Sequence, residues 1–286
     1  MINQNKNNMR KLYLSTVGLF LLASCASNDE PSSVSQKLMT FNIQGDFTSN
    51  YEDMSRASAT DAGMTDIWAF DYVDGILKQQ VHQSSTSADF GTIQLPMSYG
   101  THSVKFVASK GDAPVLSGSP LSITWTKPKD TFTLDYPLTV APSDNGARTP
   151  QLQRAVSAVK LLFTDKVPTN ASEIQITIDR STSLSIQTLT AGDATPGTNI
   201  LAIPATWLGK SGGDITTYTL CDDEITTDVS VLVLDTGGNS LSSFTVKDVT
   251  LKRNRITTLK GEVFSRGSAF TVSVNDTWDQ GLEVEF

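Results

Sequence analysis

The sequence contains few of the residues on which catalysis and metal binding depend. Its 286 residues include two cysteines, Cys25 and Cys221, and two histidines, His82 and His102. Neither pair has the short spacing that holds a metal ion. His102 shares an alternating face with apolar neighbours, which is typical of a hydrogen-bonded histidine in a core or at a strand edge. The sequence therefore predicts no enzyme, no metal site and no cofactor.

Positive charge is also scarce. Lys and Arg number 22 against 30 Asp and Glu, and the net charge is -8. Nucleic acids and anionic lipid head groups attract clustered Lys and Arg. We therefore expect neither as a partner.

No apolar run approaches the length of a membrane span. Residues 12–22 form a short apolar run, whereas a hydrocarbon core of about 30 Å needs about 20 residues. Basic residues precede the run, and Leu22, Ala23, Ser24 and Cys25 end it. This tetrapeptide resembles the bacterial lipobox, which implies a lipoprotein signal peptide over residues 1–24 and acylation of Cys25. A simple secretory signal with a chance cysteine is the alternative.

Small, polar and acidic residues follow over 25–36. They carry too little apolar surface to fold, so we expect a tether. The acidic pair Asp29 and Glu30 resembles a signal that sends bacterial lipoproteins to the outer face of the outer membrane. A solvated linker without a sorting role is the alternative. The expected location is the cell outer membrane, which the protein contacts through its lipid.

Cys221 stands next to an acidic cluster. With Cys25 acylated, it has no partner for an intramolecular disulfide. The adjacent Asp222 and Asp223 disfavour its thiolate form, so we expect no nucleophilic role. Together with Glu224 and Asp228 they lack the regular oxygen spacing of a calcium loop. We expect a solvated acidic loop.

Beyond the tether, apolar and polar residues alternate with a period of two. The segments around Phe41, Phe70 and Phe106 show this pattern, which predicts half-buried antiparallel strands. Asp74-Gly75 predicts a tight hairpin turn, and helical periodicity is limited to at most a short helix near 151–159. A proline- and glycine-containing stretch at 141–150 predicts a linker. The sequence thus predicts an all-β chain of two tandem antiparallel β-sandwich domains, residues 37–145 and 146–286.

Several segments, taken in order behind the lipobox, resemble the fimbrillin-like lipoproteins of Bacteroidetes. The matching segments are 65–72 with Asp74-Gly75, 95–102 with 104–108, 167–171, 252–257 and 272–278. The resemblance implies transthyretin-like sandwiches and a structural or adhesive subunit of outer-membrane fimbriae, at the stalk, tip or anchor. Other fimbrial subunits, and a host or bacterial surface ligand, are the implied partners.

The resemblance also implies assembly by strand exchange. In stalk subunits of the family an arginine-specific protease removes the first strand, and a neighbour's strand fills the groove. The implied first strand here carries Met39, Phe41, Ile43 and Phe47. The implied cut lies between Arg56 and Ala57. An ordinary solvated loop arginine is the alternative for Arg56.

The end of the chain is the implied donor strand. Leu282, Val284 and Phe286 alternate there with glutamates. An ordinary last strand of the second sandwich is the alternative.

A second function fits the same sequence, a surface glycan-binding lipoprotein of a nutrient-uptake system. Trp125, Trp207 and Trp278 lie near strand ends, where an indole can stack on a sugar ring. Capping of a sandwich core is the competing interpretation for each.

Overall fold

The computed structural model describes residues 35–45, 57–59, 63–111, 114–265 and 270–275. The described residues up to Arg154 form β1 (Gln36–Asn42), β2 (Gln44–Gly45), β3 (Ala57–Ser58), β4 (Asp66–Val73), β5 (Ile76–Ser84), β6 (Thr92–Ser98), β7 (Gly100–Ser109), β8 (Val115–Ser117), β9 (Ser122–Thr124), β10 (Thr131–Val140), β11 (Ala147–Arg148) and β12 (Gln151–Arg154).

The remaining described residues form β13 (Val156–Phe163), β14 (Ala171–Arg180), β15 (Ser183–Ser185), β16 (Thr195–Ala202), β17 (Asp214–Leu220), β18 (Glu224–Asp235), β19 (Ser240–Lys252), β20 (Ile256–Gly261) and β21 (Phe270–Asn275). A 3-10 turn at Ala205–Trp207 is the only helical element in the part of the chain described. The predicted all-β class is therefore confirmed. No described helix has the length and apolar character to span a membrane.

The first group of sheets encloses one apolar core. A three-stranded sheet has the order β11-β1-β6, and a seven-stranded sheet has the order β3-β2-β12-β10-β7-β4-β5. Inward side chains of both sheets meet in the first core, among them Phe41, Ile93, Leu95, Phe106 and Phe132. The predicted hairpin turn is present between β4 and β5, where Asp74 and Gly75 both adopt positive φ.

The second group repeats this arrangement. Its sheets have the orders β17-β13-β20-β21 and β16-β14-β18-β19. The core between them contains Leu161, Phe163, Ile176, Val231 and Leu259.

A third apolar cluster joins the two groups. From the sheets of the first group it takes Trp68, Phe70, Tyr72 and Val107, and from those of the second it takes Val156 and Leu220; Ile123, Trp125, Leu184 and Ile186 come from β9 and β15 and the residues that follow them. A small sheet of order β15-β9-β8 crosses the same junction. The described strands of both groups accordingly form one compact unit.

The prediction of a short helix near 151–159 is wrong. That segment forms β12 and β13, and β12 pairs with β10 and β2. Tertiary hydrogen bonding and burial on the sheet outweigh a weak local helical pattern. The proposed domain boundary at 145–146 stays a prediction. The sheets change partner at Ala155, after β11 and β12 have paired with strands of the first group.

A carboxylate holds the loop that follows β20. Asp165 accepts hydrogen bonds from the backbone N–H groups of Val263 at 3.0 Å, Phe264 at 2.8 Å and Ser265 at 2.7 Å. The Ser265 hydroxyl donates a fourth at 2.8 Å. Partial burial raises the pKa of Asp165, but the four hydrogen bonds outweigh it and lower the pKa below the ordinary 3.8.

We expect Asp165→Asn to lower the free energy of unfolding at pH 7 by about 1 kcal/mol, after a discount for solvent screening. Because the folded-state pKa is lowered, the ionised carboxylate stabilises the fold above the unfolded-state pKa of about 3.9. This contribution is lost as the pH falls through the folded-state pKa. Thermal unfolding of both proteins at pH 7 and pH 3 measures it.

Asp214→Asn is the matched control, because Asp214 makes only a solvent-exposed ion pair with Lys160 at 3.5 Å. We expect the control to change stability by less than about 0.5 kcal/mol. A stability loss for Asp165→Asn that is the same at both pH values would contradict the assignment.

Candidate assembly site

The first strand is inserted between two others. β1 pairs antiparallel with β6 from Gln36↔Ser98 to Asn42↔Thr92. On its other side it pairs in parallel with β11 at Thr40↔Ala147 and Phe41↔Arg148. It therefore occupies an interior position in its sheet, although it is the first strand described.

Its inward side chains are core residues. Met39, Phe41 and Ile43 are 0%, 0% and 2% exposed. The Phe41 ring lies 5.3 Å from that of Phe106 and 6.3 Å from that of Tyr136 in a T-shaped contact. Burial of each such side chain contributes about 1.5–3 kcal/mol. Phe47, the fourth residue predicted for this face, lies outside the described residues.

The chain continues from β1 into β2, which is also an interior strand. Gln44 and Gly45 pair in parallel with Gln151 and Leu152 of β12 and antiparallel with Ser58 and Ala57 of β3. Ala57, the residue after the predicted cut, is thus paired through its backbone with Gly45. Arg56 itself lies outside the described residues.

Within the segment predicted as a linker, residues 144–148 include β11 and contact β1, and we call them the β11 seat. Asp144 forms an ion pair with Arg148 and also accepts a hydrogen bond from the Gly146 N–H at 2.8 Å. The Arg148 hydrogen bond, followed by that of Gly146, holds the pKa of Asp144 below its ordinary value. The Gly146 carbonyl in turn accepts from the Thr40 N–H at 2.6 Å. Residues 144–148 are therefore bonded to the first strand rather than free.

Gly146 approaches β1 closely. Its φ is +77°, and a Cβ at this position would lie 2.8 Å from the Leu38 carbonyl oxygen. Both the backbone conformation and the space beside β1 favour glycine here.

A buried Asp–His pair lies near the β6 end of this site. His102 Nδ1 is 2.7 Å from Asp71 Oδ1, and both side chains are 2% exposed. His102 Nε2 faces the Ser98 carbonyl oxygen at 2.9 Å and the Ser98 hydroxyl at 3.4 Å. Although these groups are those of a Ser–His–Asp triad, Nε2 lies closer to the carbonyl, to which it donates, and is not positioned as a base for the hydroxyl. The prediction that His102 is a hydrogen-bonded core histidine is confirmed.

The other residues considered for catalysis or sugar binding are buried or packed against neighbouring side chains. Cys221 is 1% exposed, and burial together with the adjacent Asp222 raises the pKa of its thiol to about 11. Trp125 is 1% exposed in the junction cluster and cannot stack on a sugar, and Trp207 packs edge-on against Phe163 at 5.4 Å. Among the described residues no group of three His, Cys, Asp or Glu side chains has the arrangement of a metal site.

The remaining predicted sites lie outside the described residues. They are the lipobox Leu22, Ala23, Ser24 and Cys25, the C-terminal Leu282, Val284 and Phe286, and Trp278. The sequence did not identify β11 as a pairing partner of β1. The Asp144-to-Arg148 spacing and Gly146 were visible, but a parallel pairing about one hundred residues away leaves no local pattern.

No family model and no curated protein matches the sequence. Solved structures do match over most of the chain. A candidate polysaccharide-binding protein from Bacteroides thetaiotaomicron has a TM-score of 0.55 at 11% identity and covers 83% of this chain and 97% of its own. A candidate cell adhesion protein from Bacteroides ovatus has a TM-score of 0.51 at 10% identity and covers 87% and 100%.

The fimbrial anchor protein Mfa2 from Porphyromonas gingivalis is a further match. Its TM-score is 0.50 at 10% identity, over 84% of this chain and 98% of its own. At such identities the similarity concerns the fold. The chain thus shares the all-β fold of Bacteroidetes adhesion and fimbrial proteins, the group that its sequence resembles.

Proposed function

We propose that this protein is a structural or adhesive subunit of a surface fimbria, at its stalk, tip or anchor, and that it acts without catalysis. Its fold is shared with a fimbrial anchor protein and a candidate cell adhesion protein. The proposal includes export as a lipoprotein to the cell outer membrane through Cys25, association with other fimbrial subunits, and two tandem transthyretin-like domains.

The observation that carries the proposal is the position of β1. It is an interior strand whose inward Met39 and Phe41, together with Ile43 just after its end, are at most 2% exposed. Loss of such a strand would leave unpaired backbone groups on β6 and β11 and an apolar groove between them. A strand from a neighbouring subunit can pair with these backbone groups and fill the groove with its apolar side chains.

We propose that this exchange involves a proteolytic cut after β2 and a donor strand at residues 282–286. A cut between Arg56 and Ala57 would leave β1 and β2 bound by noncovalent contacts alone. The terminal Leu282, Val284 and Phe286 have the same alternate spacing as Met39, Phe41 and Ile43. We propose the terminal segment as the donor that replaces β1. A subunit that keeps both Cys25 and β1 would instead serve as the anchor.

Arginine-specific proteolysis of the folded protein tests the cut. We expect the first product to begin at Ala57, because the next arginine, Arg148, is held in an ion pair with Asp144. Mass spectrometry of the new N-terminus identifies the site. The same measurement on cell-surface fimbriae asks whether the cut occurs during assembly.

Arg56→Ala should abolish this product, whereas Arg148→Ala should leave it unchanged. If all assembled protein retained acylated Cys25, processing at Arg56 would be wrong and the anchor role would be favoured.

Gly146→Ala tests whether the β11 seat holds the first strand. After cleavage at Arg56, we expect the fragment containing β1 to dissociate about 5- to 30-fold faster, because a left-handed alanine costs about 1–2 kcal/mol. The clash of its Cβ with the Leu38 carbonyl adds to this effect. Size-exclusion chromatography followed over time measures the release, and an excess of a synthetic peptide of residues 36–45 should increase the released fraction, because the peptide occupies the empty groove and prevents rebinding.

Gly238→Ala is the control. Gly238 has a similar φ of +81°, but apart from its chain neighbours no atom of the described residues lies within 4 Å of the added Cβ. It should lower global stability without accelerating release of β1. Equal release rates for the two variants would show that the β11 seat does not retain the strand.

A further inference from the structure

An open polar cavity lies at the edge of the junction between the two groups of sheets. Its volume is about 520 Å³, within the usual range for small-molecule sites. Three segments line it: the end of β12, the turn between β17 and β18, and the turn between β19 and β20. The lining residues are Leu152, Gln153, Arg154, Asp222, Asp223, Lys252, Arg253, Asn254 and Arg255.

Arg253 is a cation without an ion-pair partner in this cavity. Its Nε donates to the Arg154 carbonyl oxygen at 2.9 Å, and its Nη2 donates to the Thr133 hydroxyl at 3.3 Å. Both acceptors are neutral, and no carboxylate of the described residues forms a salt bridge with it. Its Nη1 and the second Nη2 hydrogen are left to a ligand.

Arg154, which also lines the cavity, is paired with a carboxylate. The Arg154 side chain is 2% exposed and binds Asp130 with two hydrogen bonds, at 2.6 Å and 3.1 Å. It also donates to Asn254 Oδ1 at 3.2 Å. Arg154 is therefore a structural cation that fixes one wall, while Arg253 supplies the unneutralised charge.

The turn that carries Arg253 is held in place before any ligand binds. The Arg253 N–H donates to the Asp223 carbonyl oxygen at 2.7 Å, and the Asn254 N–H donates to that of Val156 at 2.9 Å. Asn254 adopts a left-handed φ of 57°, which asparagine tolerates. Such preorganisation reduces the entropy that binding must overcome.

The turn between β17 and β18 carries hydrogen-bond acceptors. Asp222 and Asp223 are exposed, and the Ala191 N–H donates to one carboxylate oxygen of Asp222 at 2.8 Å. The Gln153 amide is exposed on the third side. Carboxylates at the rim repel every anion, but they also accept hydrogen bonds from hydroxyl groups, so an anion that carries hydroxyls offsets the repulsion and a simple anion such as phosphate does not. The complementary ligand therefore carries a carboxylate for Arg253 and several hydroxyl groups for the acidic wall.

We propose that this cavity binds an acidic sugar, a uronic acid residue of a polysaccharide, with its carboxylate on Arg253 and its hydroxyls on Asp223 and Gln153. Planar guanidinium groups bind carboxylates with two parallel hydrogen bonds, which gives the site its selectivity. The site is distinct from the β1 groove and uses no tryptophan. Its occupation does not depend on fimbrial assembly.

Calorimetric titration of the purified full-length protein with trigalacturonate tests the proposal. The matched ligand is its methyl ester, which keeps the ring hydroxyls and loses the charge. We expect saturable binding of the acid and at least tenfold weaker binding of the ester. Arg253→Gln should weaken binding of the acid at least tenfold, and Lys252→Gln at the rim should weaken it a few-fold.

Lys247→Gln is the control variant, because Lys247 is an exposed β19 lysine paired with Asp228 outside the cavity. It should bind trigalacturonate as the parent protein does. Thermal unfolding of each variant checks that the fold is kept. If Arg253→Gln fails to fold, the ester comparison and Lys252→Gln still decide the proposal.

Asp223→Asn separates a sugar site from a general anion site. We expect the substitution to weaken trigalacturonate binding, because a hydroxyl acceptor is lost. Stronger binding would show that the cavity responds to charge alone and would overturn the sugar assignment. Equal binding of acid and ester, no binding of either, or tighter binding of triglutamate than of trigalacturonate would also overturn it.

Discussion

The architecture depends on the burial of both faces of β4. One face places Ile67 and Ala69 in the first core, and the other places Trp68, Phe70 and Tyr72 in the junction cluster. An antiparallel sheet with one solvent-exposed face can belong to an independent domain, but the seven-stranded sheet has buried apolar side chains on both faces of β4. The second group of sheets covers the face that would otherwise be exposed. The described strands of the two groups therefore share an apolar junction, and β4 contributes side chains to two apolar clusters.

This junction also explains the positions of the two sites. The inward face of β1 packs in the first core, on the side of β4 away from the junction. The polar cavity lies at the junction edge, where β12 meets the turns of the second group and where Arg154 and Asp130 form a buried pair. Removal of one partner of such a pair leaves an uncompensated charge, which is more costly than loss of the pair as a whole.

Local patterns in the sequence predicted local structure well. Alternation identified most strands, and Asp74-Gly75 identified its hairpin turn because those two residues tolerate positive φ. Sequence reasoning could not reveal that 147–154 pairs back with the first group, since parallel partners far apart in the chain share no local signal. Arg253 and Asn254 form the turn between β19 and β20, but their approach to Arg154 requires the folded chain. Trp125 was ambiguous because strand-end position alone does not distinguish a capped core from an exposed platform.

The placement of β1 between β6 and β11 has a mechanical consequence. A force along the β1 axis acts on the hydrogen bonds of both flanking strands in shear, so several must break together before the strand slides. A force perpendicular to the strand would break the same bonds one after another, at a much lower load. Any strand that occupies this groove in the same orientation would share this directional resistance, and its tensile strength would come from geometry rather than from unusually strong individual bonds.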